Sequence, residues 1–288
     1  LFVHEQYKPA EPQYDSTMES IVAGGMLHFV LDKDDFYITD QGVATVTQSK
    51  DGWQLYHPAH GKNAYSNAQI SDYDQTRNFR LCPRDNAPVY MRVVASASTA
   101  NLRGTAGFGF WNHPFAPGEF NLVAPQALWF FFSSDESNMQ LAQGVKGHGW
   151  KAATINANRW QFFSLLPTAP LAMPLMNIPA AYDALWHIGQ DAIGVREKAL
   201  NPAMLLEKHT YEIIWRVNSV MFKVDGETIL ESRVGIPHEP LGFIAWLDNQ
   251  YAVVTPKGNF GFGLVDVPQE QTLLLHEVTV GKIWIPAL

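Results

Sequence analysis

Three observations predict an all-β protein built as a two-sheet antiparallel sandwich. Short runs with period-two alternation recur between clusters of turn residues. No strand–helix–strand alternation interrupts them, and helical patterning is confined to one Pro-rich stretch. Aromatic residues make up 12% of the 288 residues, with nine Trp and seventeen Phe, a bias toward sheet surfaces and grooves. At 47% hydrophobic, a chain of this length buries a large core, and sandwiches of this size commonly form one domain. The expected organisation is an extended arm over residues 1–20, then a single domain over 21–288 with an insertion at 167–207.

Taken in order, the strand-like runs begin at Leu27–Leu31, followed by the acidic turn Asp32-Lys33-Asp34-Asp35. Phe36–Ile38, Val43–Thr47 and Trp53–Tyr56 continue the pattern, and residues 61–86 read as a long surface loop with brief strands. Val89–Ala97 alternates clearly. Gly104–Phe115 and Gln126–Ser134 follow, the latter apolar on both faces, as expected of a strand inside a sandwich or beneath a covering loop. Gly149–Ala157 and Trp160–Leu166 read as further strands. Pro167, Pro170, Pro174 and Pro179 then mark a change, and a short helical insertion is expected around 176–207, from Ala180–Gln190 and Asn201–Lys208. In the second helix Asn201 is a plausible N-cap, with Pro202 at the first helical position.

Lys208–Gly226 reads as a β-hairpin: Tyr211, Ile213 and Trp215 alternate with Glu212, Ile214 and Arg216, and the turn falls at Asn218-Ser219. Asp225-Gly226 turns the chain into a next strand, Thr228–Ser232. Leu241–Leu247, Tyr251–Thr255, Phe260–Val265 and Thr272–Trp284 complete the set.

The charge balance excludes one class of partner. With 20 Lys+Arg against 28 Asp+Glu, a net charge of −8 and no basic run, the chain lacks the positive face that nucleic acids or anionic membranes require. No apolar run approaches the length of a membrane span. Cys82 is alone, so no intrachain disulfide forms. A single cysteine fits a reducing compartment, although large secreted β-proteins also fold without disulfides. Sequence leaves both the compartment and the oligomeric state open.

The hairpin His209-Thr-Tyr211 … Trp215 … Val224-Asp-Gly226 resembles the His-Thr-Tyr … Trp … Val-Asp-Gly hairpin of laminarinase-type β-glucanases, members of the concanavalin A-like superfamily. Three other segments are similar in the same order: Gly107–Trp111, Pro237–Trp246 and Glu277–Trp284. The resemblance covers roughly residues 90–285 and implies a jelly roll. It also implies a catalytic strand carrying two glutamates with an aspartate between them, because a retaining glycosidase needs two carboxyls about 5 Å apart on one sheet face. The strand in that place, Gln126–Ser134, has no carboxylate. Asp135 and Glu136 follow it, but neighbouring strand residues point to opposite faces and cannot form the pair. The expectation is a protein that binds a small molecule or glycan without hydrolysing it, with a carbohydrate in a concave sheet cleft as the leading reading. The alternative is an enzyme or carrier for an apolar small molecule held under the Pro- and Met-rich insertion.

Trp111, Asn112, His113 and Trp129 are the first candidate ligand-binding residues, since an indole face stacks on a sugar ring while amide and imidazole groups bind its hydroxyls. The alternative places Trp111 and Trp129 in the sandwich core, with Asn112-His113-Pro114 as a turn. The second candidate set is Trp246, Asp248, Asn249 and Gln250, lining a pocket mouth or forming an Asx turn. A third feature is the apolar stretch Leu165–Trp186, either a roof over a greasy pocket with Phe130, Phe132, Leu175 and Trp186, or a lid or dimer contact. Metal and cofactor are not expected. His57 and His60 have Pro58 between them and no third ligand at metal spacing, and Asp32, Asp34 and Asp35 read as a solvated turn before a calcium site. The glycine runs Gly104–Gly109 and Gly258–Gly263 lack the lysine and helix of a phosphate loop and suggest bulges or close backbone approach.

Overall fold

The computed structural model describes residues 26–284 except 51, 75, 86 and 115–122, so the expected arm at 1–20 lies outside the described residues. Two antiparallel sheets face each other. One runs β13 (Glu227–Ser232), β12 (Ser219–Val224), β11 (His209–Arg216), β6 (Val89–Ala97), β17 (Gln271–Trp284), β4 (Gly52–His57), β3 (Thr45–Ser49), with β1 (Met26–Val30) also paired to β17. The other runs β10 (Arg196–Ala199), β9 (Gly149–Asn156), β8 (Gln126–Ser133), β7 (Thr105–Trp111), β14 (Gly242–Asp248), β5 (Asn67–Ser71), β2 (Tyr37–Gln41). A hairpin of β15 (Gln250–Val254) and β16 (Phe260–Leu264) stands apart. This is a jelly-roll sandwich, in agreement with the expected fold class and with the resemblance to concanavalin A-like proteins.

The hairpin of β11 and β12 supplies the centre of the core. Tyr211, Ile213 and Trp215 point inward and are fully buried, as their alternation requires. Its turn is Val217-Asn218, one residue earlier than expected, because Arg216 pairs with Ser219. Asp225 and Gly226 have φ of 50° and 83°, the paired left-handed geometry of a tight hairpin turn. Across the sandwich, Phe130 meets Tyr211 at 5.0 Å and Phe222 at 5.6 Å, while Phe108 and Trp150 pack beside it on its own sheet. Edge-to-face aromatic contacts of this kind weld the sheets together.

The insertion departs from its expected bounds. Helices α1 (Trp160–Leu165), α2 (Ala169–Leu175) and α3 (Pro179–Ile193) occupy its first part. Trp160–Leu166, expected as a strand, is thus mostly helix, since a short run that is apolar throughout fits either period. Residues 196–199, expected within the helical stretch, instead add strand β10 to the sheet edge, and Gly194, with φ of 65°, ends α3 before it. The helix expected at Asn201–Lys208 is a short 3-10 turn over Pro202–Leu206, and Asn201 does cap it, accepting a bond from the Ala203 amide at 3.1 Å.

Phe130→Ala should lower unfolding free energy by about 3–5 kcal/mol, the cost of an emptied aromatic site in a close-packed core. Urea unfolding checks it, with a reduced midpoint and little change in slope expected.

Candidate functional site

Strands β14, β7 and β8 lie side by side, and their outward positions fall in four rows. Gly242, Trp111 and Ala127 share one row, Ile244, Gly109 and Trp129 the next, Trp246, Gly107 and Phe131 the third, and Asp248, Thr105 and Ser133 the fourth. The inward partners, among them Phe108, Phe110, Phe130, Phe132 and Phe243, belong to the sandwich core. Trp111, Trp129, Phe131 and Trp246 therefore stand on the opposite face, as a separate aromatic group. The core alternative for Trp111 and Trp129 is thereby set aside.

Glycine on β7 makes the grouping possible. A Cβ on Gly109 would strike the Leu128 carbonyl and come within 2.6 Å of the Trp129 Cβ, and one on Gly107 would meet the Trp246 ring at 3.0 Å. Without those atoms the two indoles converge over the strand between them, with ring centres 5.5 Å apart. Trp111 lies 6.1 Å from Trp129, and Phe131 lies 5.3 Å from it. Close approach, the reading given to this glycine run, is what the strand shows.

A wall rises at the Trp111 end. The Trp111 indole donates to the Tyr73 hydroxyl, and the His113 ring stacks on Trp111 at 4.8 Å with 15° between planes. His113 takes a φ of 42°, a left-handed conformation unusual for a residue with a Cβ, and its carbonyl accepts from the Arg77 guanidinium at 3.3 Å. Backbone held in this way fixes the ring against the indole.

At the other end the face is closed. Residues 137–147 cross β8, β9 and β10, and Met139 packs on Phe131 and Trp246, which are both buried. Lys151 on β9 points outward beneath this crossing and donates to the Met139 and Lys146 carbonyls, at 3.4 and 3.3 Å, and to Glu197 at 3.0 Å. Burial raises the Glu197 carboxyl, and Lys151 opposes that rise. Helix α3 clamps the crossing from outside: Trp186 donates to the Leu141 carbonyl at 2.8 Å, and Gln190 accepts from the Gln143 amide at 2.9 Å. Only Trp111 and Trp129 of the aromatic group keep partly exposed ring surface.

The other expected binding residues have structural work. Asn112 is buried, donating to the Ala124 carbonyl at 2.9 Å and accepting from the Gln126 amide at 3.0 Å. Asp248 accepts from the Thr105 hydroxyl (2.8 Å) and amide (3.2 Å) and from the Gln250 amide (3.0 Å), so the Asx turn is formed. Thr105 in turn accepts from the Trp246 indole at 2.9 Å, which locks that ring. Asn249 is fully buried and ties the Ser66 amide to the Ala64 and Val265 carbonyls. Gln250 is exposed and opens β15. The structure thus groups Trp111, His113, Trp129 and Trp246, places Asp248 buried in the row beyond Trp246 on the same face, and directs Asn112, Asn249 and Gln250 elsewhere. Phe131 was legible as the next outward position after Trp129. Tyr73, 38 residues before Trp111, carries no local signal.

On β8 the outward positions hold Ala127, Trp129, Phe131 and Ser133. Asp135 and Glu136 lie in the turn beyond, where Glu136 pairs with Arg103 and Asp135 lies 3.8 Å from His148. The His57 and His60 rings lie 4.6 Å apart with their planes inclined by 39°, and burial holds the His57 imidazole below its usual range. Asp35 accepts from the Asp32 amide at 2.9 Å within the acidic turn. Among the described residues no group of three or more His, Cys, Asp or Glu side chains converges as a metal site would require. Among them too, no helix is long and apolar enough to cross a membrane.

No family model matches the chain, and no curated protein does. Solved structures to which it is similar include a GlcNAcα1-4Gal-releasing endo-β-galactosidase from Clostridium perfringens, at 15% identity and a TM-score of 0.49, covering 97% of this chain and 65% of that one. A Bacillus licheniformis β-glucanase matches at 11% identity and 0.46, over 90% of this chain and 98% of that one. A prokaryotic β-1,3-1,4-glucanase from a mouse hindgut metagenome matches at 11% and 0.46, over 89% and 97%. The chain spans about two-thirds of the length of the endo-β-galactosidase.

Burial pushes the Asp248 carboxyl up to about 6, against the pull of its three hydrogen bonds. Between pH 4 and 6 the folded protein then keeps a proton that the unfolded chain has released. That stabilisation is full below about pH 4 and is lost as pH rises through about 6. Relative to Asp248→Asn, the wild type should lose about 2–3 kcal/mol between pH 4 and 7, at about 1.4 kcal/mol per pKa unit. Urea unfolding of both proteins at the two pH values measures it.

Proposed function

We propose that the protein binds a carbohydrate on the outer face of this sheet and does not hydrolyse it. The observation that carries the reading is the partly exposed pair Trp111 and Trp129, on the side away from the core, beside His113 and Tyr73. A sugar presents an apolar face of C–H bonds and a rim of hydroxyls. Indole rings match the first, and the His113 imidazole matches the second, while the buried Tyr73 hydroxyl holds the Trp111 ring. Gln69, opposite Trp246 on β5, adds an amide on the same face. Hydrolysis with retention needs two carboxyls across the bond, and β8 offers aromatic and small side chains at those positions. That the similar structures named above include enzymes acting on glycans fits a carbohydrate ligand but does not bear on hydrolysis.

The apolar-carrier alternative called for Phe130, Phe132, Leu175 and Trp186 around one enclosed pocket. Phe130 and Phe132 lie in the sandwich core, Leu175 is exposed, and Trp186 is engaged with the crossing loop. No observation assembles that pocket.

Glycan-array screening should identify a ligand bound at millimolar concentration or tighter. Trp129→Ala and Trp111→Ala should each weaken it about tenfold, the worth of one ring face removed from water. Absence of any bound glycan, or unchanged affinity in both variants, overturns the reading. Release of sugar from a β-glucan that disappears in Glu136→Gln overturns the non-hydrolytic part.

A further inference from the structure

Eleven of the eighteen exposed large apolar side chains among the described residues come from two segments, the helical insertion and the β15–β16 hairpin. The segments are distant in sequence and adjacent in space. Asn177 donates to the Lys257 carbonyl at 3.4 Å, the Lys257 ammonium lies 5.9 Å above the Tyr182 ring, and Gly258 abuts Met173. The two segments adjoin at this point, and their most exposed apolar side chains are Trp160, Leu171 and Phe260, at 75%, 78% and 75%, with Phe163, Leu175 and Phe262 about half exposed. Soluble proteins rarely leave such a patch without a use.

Charge identifies the partner. From Trp160 through Tyr182 no Asp, Glu, Lys or Arg occurs, the rest of α3 adds only Asp183 and Asp191, and between Gln250 and Leu264 Lys257 is the only charged residue. The remainder of the chain carries the acidic excess behind the net charge of −8. A polybasic patch would point to anionic lipid, and this face has none. Side chains exposed to three-quarters project from the surface instead of lining a groove. A protein partner would need a matching pocket for each, whereas the boundary between headgroups and acyl chains accepts projecting Trp, Phe and Leu side chains without one.

We infer that this face seats the protein on an electrically neutral phospholipid surface. Trp160, Leu171 and Phe260 enter the acyl boundary while Lys257 stays at the headgroups. The attachment is peripheral, since α3, the longest helix among the described residues, has 15 residues and cannot span a bilayer. It is independent of the carbohydrate reading, because none of these side chains belongs to the aromatic group on β7, β8 and β14.

Co-flotation with phosphatidylcholine vesicles tests it. The wild-type protein should rise with the vesicles, equally at low and high salt, and added phosphatidylserine should not improve recovery. Leu171→Glu and Phe260→Glu, on the two separate segments, should each lower the bound fraction about tenfold or more, with thermal midpoints unchanged because both positions are exposed. Failure of the wild type to float, flotation of both variants at the wild-type level, or binding that needs phosphatidylserine and vanishes in salt each overturns the inference. A wild-type dimer by light scattering that both variants convert to monomer, with no vesicle binding, assigns the face to a second copy and overturns it as well.

Discussion

Strand β7 carries glycine at two successive outward positions, and much of the molecule's outer architecture depends on that vacancy. A sheet of this kind has two faces to satisfy. The inner one is filled in the ordinary way, by Phe108 and Phe110 packing toward Tyr211 and Trp215 of the opposite sheet. On the outer one, Gly107 and Gly109 leave room that only large neighbours can fill, and Trp129 and Trp246 lean in from either side. The consequence is a strand, β8, that is apolar on both faces for two different reasons. Its inward phenylalanines build the core, and its outward Trp129 and Phe131 build the aromatic face.

The rest of the outer face is arranged around what those rings leave open. The crossing segment 137–147 covers Phe131, Trp246 and the β9–β10 edge, and its Met139 and Lys146 carbonyls accept from Lys151, the cation of the buried Lys151–Glu197 pair beneath it. A buried ion pair of this sort adds little net stability, but removing one partner would leave a charge stranded, so it fixes the crossing in place. Helix α3 then docks on the crossing through Trp186 and Gln190. The insertion is thus held to the crossing by polar contacts, and Leu185 and Ile188 of α3 are left outward beside the exposed Asp183, His187 and Asp191.

The hairpin at Lys208–Gly226 was legible because its alternation, turn residues and core positions all agree, and only its turn was displaced by a residue. Sheet membership and the two-sheet arrangement followed from the same period-two signal. Trp160–Leu165 was not legible as helix, since six mostly apolar residues carry no decisive period and the packing against α3 decides the matter. The polar run Asp248-Asn249-Gln250 offered donors and acceptors in abundance, but alternation cannot say whether such groups face a ligand or the backbone. Here the backbone of residues 64–66, 105 and 265 takes them. Trp111 and Trp129 posed the opposite problem. Their size argued for the core, and only the register with Gly109 shows them on the other side. The wall at Tyr73 depends on a contact between distant segments that no short window of sequence records.

On the proposed function, the outer aromatic face, and neither the core side nor the insertion, receives the ligand. Indole-nitrogen NMR, with the nine tryptophans assigned by substitution, tests this most directly during titration with an oligosaccharide that the array identifies. The Trp111 and Trp129 indole signals should shift together and saturate at one ligand per protein, while those of Trp160, Trp186 and Trp215 stay in place. Saturating shifts confined to Trp160 or Trp186, with Trp111 and Trp129 unmoved, would contradict it.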